Sequence, residues 1–401
     1  MGLNNGYKGY KSYEYLEAGK DFREFDFVDE LNRVEPYRVE LDEEGEARAK
    51  KVGEEFLNIS LHEHPVVFPQ DLDADLMDYT RQGREFTAYA GLAESYLDCV
   101  FDNMMDGTCV ITSKHGWKFR DVIYDLGIRL SDLAHQDFII RCERVEDIHR
   151  AKKEGKIALV PTIEGSAMIE NELDRIDILY GFGVRSMGIT YSESNALGSG
   201  IKEDNDGGLT VFGHQAVERM NKLGIVIDCS HTGPKTTLDV IEASKHPIFL
   251  SHTGARALWD SKRLAPDEVF KACAAKGGVI AVEAAPHTTL TNDDQVHSID
   301  TYMAHFEYMK DLVGVEHVAF GPDTLYGDHV GLHHAFAGHL STGRTRGKKQ
   351  FDEVEYVRGL ENPTEANINI IRWLVSKNYS DEDIAAVLGG NILRVLEEVW
   401  W

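Results

Sequence analysis

Residues 224–254 have the sequence GIVIDCSHTGPKTTLDVIEASKHPIFLSHTG. The runs Gly224–Asp228 and Pro247–Leu250 each have the length and composition of a strand, and the segment Pro234–His246 between them carries apolar residues at helical spacing. A strand, a helix and a second strand in this order predict a β–α–β unit with parallel strands. The stretch therefore indicates an α/β fold.

The same alternation continues on both sides of this stretch. Short apolar runs predict eight strands, at Phe56–Ser60, Thr108–Ile111, Ile157–Ile163, Arg185–Thr190, Gly224–Asp228, Pro247–Leu250, Gly277–Val282 and His317–Phe320. Strands and helices that alternate in this way predict a (β/α)8 TIM barrel, whose usual size is about 250 residues. A doubly wound open sheet is the alternative, but such a sheet usually carries a glycine-rich phosphate loop after its first strand, and the sequence has none there.

The segments outside this alternation are predicted to pack onto the barrel. Residues 1–55 are polar, contain a predicted helix at Glu43–Glu55 and hold too few apolar residues for a core of their own. We therefore expect an N-terminal extension, packed on a barrel domain of residues 56–401. A long polar loop is predicted at Gly321–Gly359. Two closing helices are predicted after it, at Asn362–Ser376 and Ser380–Trp400.

The composition is that of an acidic globular protein. The 401 residues include 42 Lys and Arg against 68 Asp and Glu, which gives a formal net charge of -26, and 42% are hydrophobic. This charge argues against nucleic acids and anionic membranes as partners, because both require clustered basic residues. No apolar run approaches the roughly 20 residues that span a bilayer. No targeting signal is recognisable, and five cysteines without a CxxC pair favour a cytoplasmic location.

Histidines and carboxylates follow the predicted strands at the end where barrel enzymes have their active sites. In chain order they are His62, His64, Glu164, His231, His252 and Asp323, after the first, third, fifth, sixth and eighth strands. Each alone is an ordinary loop residue, but together they are typical of a metal centre. The alternation of side chains along a strand directs His62 and His64 to the same side. Imidazole and carboxylate ligands together favour zinc. We expect the six residues to hold two divalent ions.

Two ions at this centre would explain each residue type. Two ions about 3.5 to 4 Å apart can share a bridging carboxylate and a bridging hydroxide. The hydroxide can form near neutral pH because binding to a metal lowers the pKa of water. Glu164 is the expected bridge. Asp323, itself a candidate ligand, can take a proton from the bridging water and deliver it to a leaving amine. No GxSxG elbow, Walker loop or Cys/His dyad competes, although Cys229 is a minor candidate nucleophile.

Four stretches of the sequence resemble one family of enzymes. They are Gly208–Gly213, Met220–His231, Phe249–Leu258 and Gly389–Val399. On these stretches, residues 56–400 resemble the renal (membrane) dipeptidases, dizinc peptidases of the amidohydrolase superfamily. The resemblance implies two zinc ions, a dipeptide-like substrate and a homodimer or higher homo-oligomer.

The resemblance also implies a role for each matching residue. The metal ligands that it implies are the bridging Glu164 and the histidines His62, His231 and His252. Asp323 matches the catalytic aspartate of the family. Arg263 matches the arginine that holds the terminal carboxylate of the substrate, a contact that suits the bidentate guanidinium group.

Two departures from the family pattern leave the substrate open. The family has His-x-Asp on its first strand, whereas here the third residue is His64, which makes the metal site one unit more positive. After the fourth strand the family has a histidine that contacts the substrate carbonyl, and here Tyr191 stands at that place. Either Tyr191 or His115, after the second predicted strand, could donate a hydrogen bond to the oxyanion.

Three hypotheses for the function follow. The first is a binuclear metal-dependent hydrolase that cleaves an amide bond in a small carboxylate-bearing substrate by attack of the bridging hydroxide. The alternative is a related enzyme that acts on a non-peptide small molecule by amide, ester or carbon–carbon cleavage, or by decarboxylation. A catalytically silent barrel that binds a ligand is the minor hypothesis. The histidines of residues 328–339 are expected to belong to a solvated or lid segment rather than to a third metal site.

Overall fold

The fold is built around one sheet of mainly parallel strands. The structure, a computed structural model, describes residue 4 and residues 6–104, 118–339 and 351–400. The strands in this part of the chain are β1 (Ile59–Val67), β2 (Phe86–Thr87), β3 (Cys99–Met104), β4 (Ile139–Arg141), β5 (Ile157–Ile163), β6 (Ser186–Gly188), β7 (Val226–Asp228), β8 (Phe249–Thr253), β9 (Val279–Val282), β10 (Val318–Phe320) and β11 (Leu325–Tyr326). Their order in the sheet is β10-β9-β8-β7-β6-β5-β3-β1-β11, with β2 and β4 paired to β1 and β5.

The sheet curls into a barrel, and the contact between its last and first strands, β10 and β1, differs from the contacts between the other strands. The ladders from β1 through β3 and β5 to β10 are all parallel. Among the described residues no ladder joins β10 to β1. There Asp323, just after β10, donates its backbone N–H to the carbonyl oxygen of His62 at 3.0 Å, and β11 pairs with β1. We call this junction the seam. The predicted (β/α)8 fold is confirmed.

Helices follow the strands along the chain. The helices of the described residues are α1 (Glu43–Glu55), α2 (Leu72–Arg81), α3 (Tyr89–Ala93), α4 (Phe119–Leu133), α5 (Val145–Glu154), α6 (Asp174–Gly181), α7 (Val211–Leu223), α8 (Pro234–Ala243), α9 (Asp267–Ala275), α10 (Ile299–Val313), α11 (His329–His339), α12 (Pro363–Ser376), α13 (Asp381–Ala385) and α14 (Asn391–Val399). Local signals set their ends. The side chain of Thr210 caps α7 by accepting from Gly213 N, and Gly224 ends it with a φ of 76°.

Aromatic and aliphatic side chains close the barrel at the end opposite to the candidate site. Phe101 and Phe249 lie in one buried cluster with the side chains of α14 and Trp400. The indole ring of Trp400 stacks on Phe101 with ring centroids 6.4 Å apart, and its Nε1–H donates to the carbonyl oxygen of Arg185, just before β6. The amino-terminal ends of the strands are therefore packed with apolar groups, and only the carboxyl ends carry the ionisable cluster.

The N-terminal residues pack against the barrel over much of their length. Tyr13 and Phe25 are buried in a cluster with residues of β1 and α2. The backbone N–H of Tyr13 donates to Asp132 at 2.7 Å, and that of Val39 donates to the side chain of Asn369 in α12 at 3.0 Å. These contacts tie the segment to both early and late parts of the chain.

One predicted strand, Thr108–Ile111, lies outside the described residues and is not tested. The structure differs from the predictions at four other places. The strand β3 at Cys99–Met104 was not predicted. The first strand runs on to Val67 rather than ending at Ser60, so its two histidines lie within the strand. The predicted polar loop after β10 contains α11, and the predicted helix Ser380–Trp400 divides into α13, a π-helical turn at Ala386–Gly390 and α14.

Candidate metal centre

Six histidine and carboxylate side chains meet at the carboxyl ends of the barrel strands. They are His62 and His64 in β1, Glu164 directly after β5, His231 after β7, His252 in β8, and Asp323 after β10. All six are buried, and none is more than 8% exposed. The structure thus brings together residues that are as far apart in the chain as positions 62 and 323.

One group of three consists of His62, His64 and Asp323. Asp323 Oδ1 lies 3.0 Å from His64 Nε2 and 3.4 Å from His62 Nε2. The two imidazoles project from the same face of β1 with ring centroids 5.2 Å apart, as the alternation along a strand requires. The ligand atoms of the three residues all lie within 4.8 Å of one another, a spacing suited to a single cation.

The second group is centred on Glu164. Its Oε1 lies 3.2 Å from His231 Nε2, 3.4 Å from His252 Nε2 and 3.8 Å from His62 Nε2. The Nε2 atoms of His231 and His252 are only 3.0 Å apart. Because His62 belongs to both groups and Glu164 points toward three imidazoles, the two groups form one continuous cluster.

The donor atoms of this cluster fit divalent metal ions. His62 Nε2 is buried and lies 3.4 Å from Asp323 Oδ1 and 3.8 Å from Glu164 Oε1 without a well-directed hydrogen bond to either, an unusual state for an imidazole nitrogen unless a ligand meets it. The other donors are imidazole nitrogens and carboxylate oxygens, the set that zinc and related divalent ions prefer. Burial lowers the pKa of His62, and it lowers those of His231 and His252 well below the usual value. These imidazoles are therefore neutral near pH 7, as ligands must be.

Asp323 has a different electrostatic environment. Burial alone would raise its pKa, but contacts with His62 and His64 hold the pKa well below its usual value. Burial alone would lower the pKa of His64, yet its contact with Asp323 raises that pKa to about 9. Asp323 is therefore a carboxylate near pH 7. It also has a φ of 59°, a backbone conformation that only Gly, Asn and Asp adopt readily.

A layer of hydroxyl and carboxylate groups orients the imidazoles from behind. His252 Nδ1 is 2.9 Å from Ser251 Oγ, which donates to Asp228 at 2.6 Å, while His231 Nδ1 is 3.1 Å from Ser192 Oγ. Such contacts fix ring tautomers and are typical of metal ligands. These supporting residues were not predicted from the sequence. The only available signal was that Asp228 and Ser251 stand next to the histidine motifs of β7 and β8.

Glu63 lies between the two histidines of β1 but faces away from them. It accepts hydrogen bonds from Ser60 Oγ at 2.8 Å and from Thr324 N and Oγ1 at 2.8 and 2.7 Å. Burial raises its pKa to about 8. Thr324 directly follows Asp323, so Glu63 links β1 to the chain after β10 across the seam. It is a structural element of the site that sequence analysis did not identify.

Arg263, the predicted carboxylate-binding residue, lies beside the cluster and is already engaged by protein groups. Its guanidinium nitrogens Nη1 and Nη2 each lie 3.2 Å from the carbonyl oxygen of His252. Nη2 also lies 2.8 Å from Oε2 of Glu283, a fully buried carboxyl group that follows β9. Burial raises the pKa of Glu283 to about 7, although Arg263 opposes this shift. Glu283 was not predicted as a site residue.

The other candidates have different positions. The ring of Tyr191 stacks on His231 with centroids 4.5 Å apart, which places Tyr191 next to the cluster. His115 lies outside the described residues. Cys229 is 2% exposed within the apolar core, and burial raises its pKa well above the usual value, so it lacks the thiolate character of a nucleophile.

The histidine-rich segment after the seam is a helix rather than the predicted loop. Asp328 caps α11 by accepting from Gly331 N at 2.9 Å, and Leu332 packs into the cluster that contains β1 and α2 residues. His329 and His333 stand one turn apart with ring centroids 4.8 Å from each other. Burial lowers the pKa of both, that of His333 to about 4. Among the described residues, α11 contributes no member to a three-residue metal-binding group.

Comparison with known families assigns this chain to one of them. The family model described as membrane dipeptidase (peptidase family M19) matches residues 122–336. The chain belongs to this family. No helix among the described residues is both long enough and apolar enough to cross a membrane.

The curated relatives are longer than this chain. It is 27% identical over 278 residues to Dipeptidase aclJ of Aspergillus oryzae, an alignment that covers 67% of this chain and 60% of the relative. It is 28% identical over 250 residues to human Dipeptidase 3, covering 61% of this chain and 45% of the relative. The chain thus spans about half the length of the curated relatives it matches.

Solved structures share the fold. An amidohydrolase from Pseudomonas aeruginosa superposes with a TM-score of 0.71 at 22% identity, covering 88% of this chain and 99% of that chain. A metallopeptidase from Rhodobacter sphaeroides, liganded with a phosphinate mimic of the dipeptide L-Ala-D-Ala, superposes with a TM-score of 0.65 at 17% identity, covering 86% and 99%. At these identities the likeness concerns the fold alone.

Proposed function

We propose that this chain is a metal-dependent hydrolase that cleaves an amide bond in a small, dipeptide-like substrate with a free carboxylate. The observation that carries the proposal is the buried cluster of four histidines and two carboxylates, at the end of the barrel where enzymes of this fold have their active sites. Membership of the membrane dipeptidase family supports the same reaction class.

In this proposal the cluster holds two divalent ions, with zinc as the expected metal. His62, His64 and Asp323 would hold one ion, and His231 and His252 the other, with Glu164 shared between them. Bound ions of this kind lower the pKa of water and polarise a carbonyl oxygen. The chain itself contributes four imidazoles, and the contacts that orient them include those from Ser251, Ser192 and the carbonyl oxygen of Asn103.

Asp323 is the proposed proton carrier. Its low pKa keeps the carboxylate ionised near pH 7, so it can accept a proton from the attacking water and pass it to the amine that leaves. Arg263 is proposed to bind the substrate carboxylate. Tyr191, which stacks on His231, is proposed to donate a hydrogen bond from its hydroxyl group to the carbonyl oxygen as negative charge develops there, and His115 remains the alternative donor.

The proposal is tested by metal content and turnover measured on one preparation. Elemental analysis should find two divalent ions per chain. A panel of dipeptides and N-acyl amino acids should contain at least one substrate that is hydrolysed only by the metal-loaded chain. A metal-loaded chain that hydrolyses no member of the panel would contradict the amide hydrolase proposal.

A second candidate is a related hydrolase that acts on a non-peptide small molecule. The contact between Arg263 and Glu283 favours it, because a guanidinium already beside a buried carboxylate is a weaker anchor for a substrate carboxylate. Turnover of esters or neutral amides, with none of the dipeptides hydrolysed, would support this candidate.

For the organisation of the chain, the proposal is an N-terminal extension of residues 1–55 on a barrel of residues 56–401. The burial of Tyr13 and Phe25 against residues of β1 and α2 supports it. For the partners, the proposal is a small-molecule substrate and a homodimer or higher homo-oligomer.

A further inference from the structure

Arg263 and Glu283 form an ion pair next to the candidate metal centre. Glu283 is fully buried and follows β9, and its backbone N–H donates to the carbonyl oxygen of Thr253 at 3.0 Å. This bond holds the backbone of Glu283 beside the strand end that carries His252. The guanidinium of Arg263 lies 2.8 Å from Glu283 Oε2, and only 15% of the Arg263 side chain is exposed.

In this geometry the carboxylate of Glu283 balances the positive charge of Arg263, the residue that is proposed to bind the substrate carboxylate. A guanidinium group binds a carboxylate strongly when it is free to form two parallel hydrogen bonds. Here Nη2 faces Glu283, and both Nη1 and Nη2 face the carbonyl oxygen of His252. A substrate carboxylate would share Arg263 with a buried like charge, and repulsion between the two carboxylates is strong where water is excluded.

We propose that Glu283 determines substrate selectivity by neutralising Arg263, so that the site accepts an uncharged amide or ester end more readily than an unpaired arginine would. This inference rests on the proposed function and deepens it. It assigns to Glu283 a role in the choice between charged and neutral substrates, separate from the chemistry at the metal-binding cluster.

The test compares two probes that differ only in charge at one end, N-acetylglycine and N-acetylglycinamide. Their dissociation constants are measured by calorimetry on the metal-loaded chain carrying Asp323→Asn, so that the amide bonds of the probes are not hydrolysed during the titration. The pH is 8, where Glu283 is ionised because its pKa is about 7. The quantity of interest is the affinity for the carboxylate relative to that for the amide. Direct binding of a carboxylate to the metal contributes equally in both variants and cancels in the comparison.

Glu283→Gln should raise this relative affinity roughly tenfold or more, because it leaves Arg263 without its counter-charge. Arg263→Gln should shift it in the opposite direction, because it removes the guanidinium group that attracts the carboxylate. Glu283 also loses the interaction that lowers its pKa, so the buried carboxyl group becomes protonated. The double variant Glu283→Gln/Arg263→Gln should not show the increase in relative affinity that is expected for Glu283→Gln alone. That result assigns the effect to Arg263 rather than to the neighbouring Lys202, whose charge also acts on His231.

A matched control is Glu361→Gln. Glu361, which is buried, and Arg33, which is partly exposed, form another pair of glutamate and arginine, 2.6 Å apart, between the N-terminal segment and the residues before α12. This control should leave the relative affinity unchanged. An unchanged relative affinity in Glu283→Gln would overturn the inference, as would failure of both probes to bind any variant. If the relative affinity shifts but the unaltered chain hydrolyses no amide, the charge balance stands and the proposed function fails.

Discussion

Replacing Asp323 by Asn removes the proposed proton carrier but keeps a side-chain oxygen that can bind a metal ion together with His62 and His64. Asn has nearly the same shape as Asp and tolerates the φ of 59° at this position, so the backbone cost of the exchange is small. The amide oxygen can still approach His64 Nε2, which lies 3.0 Å from Asp323 Oδ1. The substitution removes the negative charge and the ability to accept a proton. All other side chains of the cluster remain.

The expected loss can be estimated from the role of the residue. A positioned general acid or base contributes about 10²- to 10⁴-fold to the rate, which corresponds to about 3–5 kcal/mol in the activation free energy. We therefore expect kcat for the best dipeptide to fall by this factor, while metal content stays that of the unaltered chain. The assay is steady-state hydrolysis together with elemental analysis of the same sample.

Asp102→Asn is the matched control for this exchange. Asp102 is also a buried aspartate of the barrel wall, but it pairs with Arg129 at 2.8 Å instead of joining the cluster. Its loss should lower the free energy of unfolding by roughly 3–5 kcal/mol, because it leaves the buried Arg129 without a counter-charge. The kcat of the folded fraction should not change. The reasoning about Asp323 is refuted if the Asn variant keeps both its metal and a kcat within about threefold of the unaltered chain.

Three further predictions address metal sharing, pH and packing. His62→Ala should release more metal than His64→Ala, because His62 belongs to both ligand groups; equal metal contents by elemental analysis would contradict this. Burial raises the pKa of Glu361 to about 7, so the folded chain keeps a proton that the unfolded chain loses near pH 4.5. Stability should therefore fall by roughly 3 kcal/mol as pH rises from 4.5 to 7, and urea unfolding of Glu361→Gln should lack this slope. Trp400→Ala should cost about 3–5 kcal/mol in urea unfolding by opening a cavity at the closed end of the barrel, and a loss below about 1 kcal/mol would show that Trp400 is not part of the core.

The sequence predicts the regular parts of this fold because their signals are local. The helix at Glu43–Glu55 and the strand at Ile157–Ile163 have the predicted bounds, since a side-chain cap and a continuous apolar run specify them. The strand β3 was missed because Asp102 and Asn103 make it polar, and Asp102 is compensated by Arg129, 27 positions away. The helix α11 was predicted as a loop because its stability comes from an Asp328 cap and from packing onto α2.

The candidate site was predictable to the extent that strand ends converge in a barrel. That rule alone placed His62, Glu164 and Asp323 near one another, and the structure has them in one cluster. The supporting groups were not predictable in this way. Whether Arg263 faces solvent or Glu283 depends on two side chains from different strand ends, a relation that no local pattern encodes.

The seam holds side chains of the candidate metal centre on both of its sides. His62 and Asp323 face each other across it through a backbone hydrogen bond. The backbone N–H of His64 donates to the carbonyl oxygen of Thr324 at 2.9 Å, and Thr324 N donates to Glu63. Any breathing motion that separates these two segments pulls the ligand groups apart at the same time. Loss of the site and local opening of the wall are then one event, so amide exchange at Asp323 and Thr324 would report the integrity of the centre without any substrate.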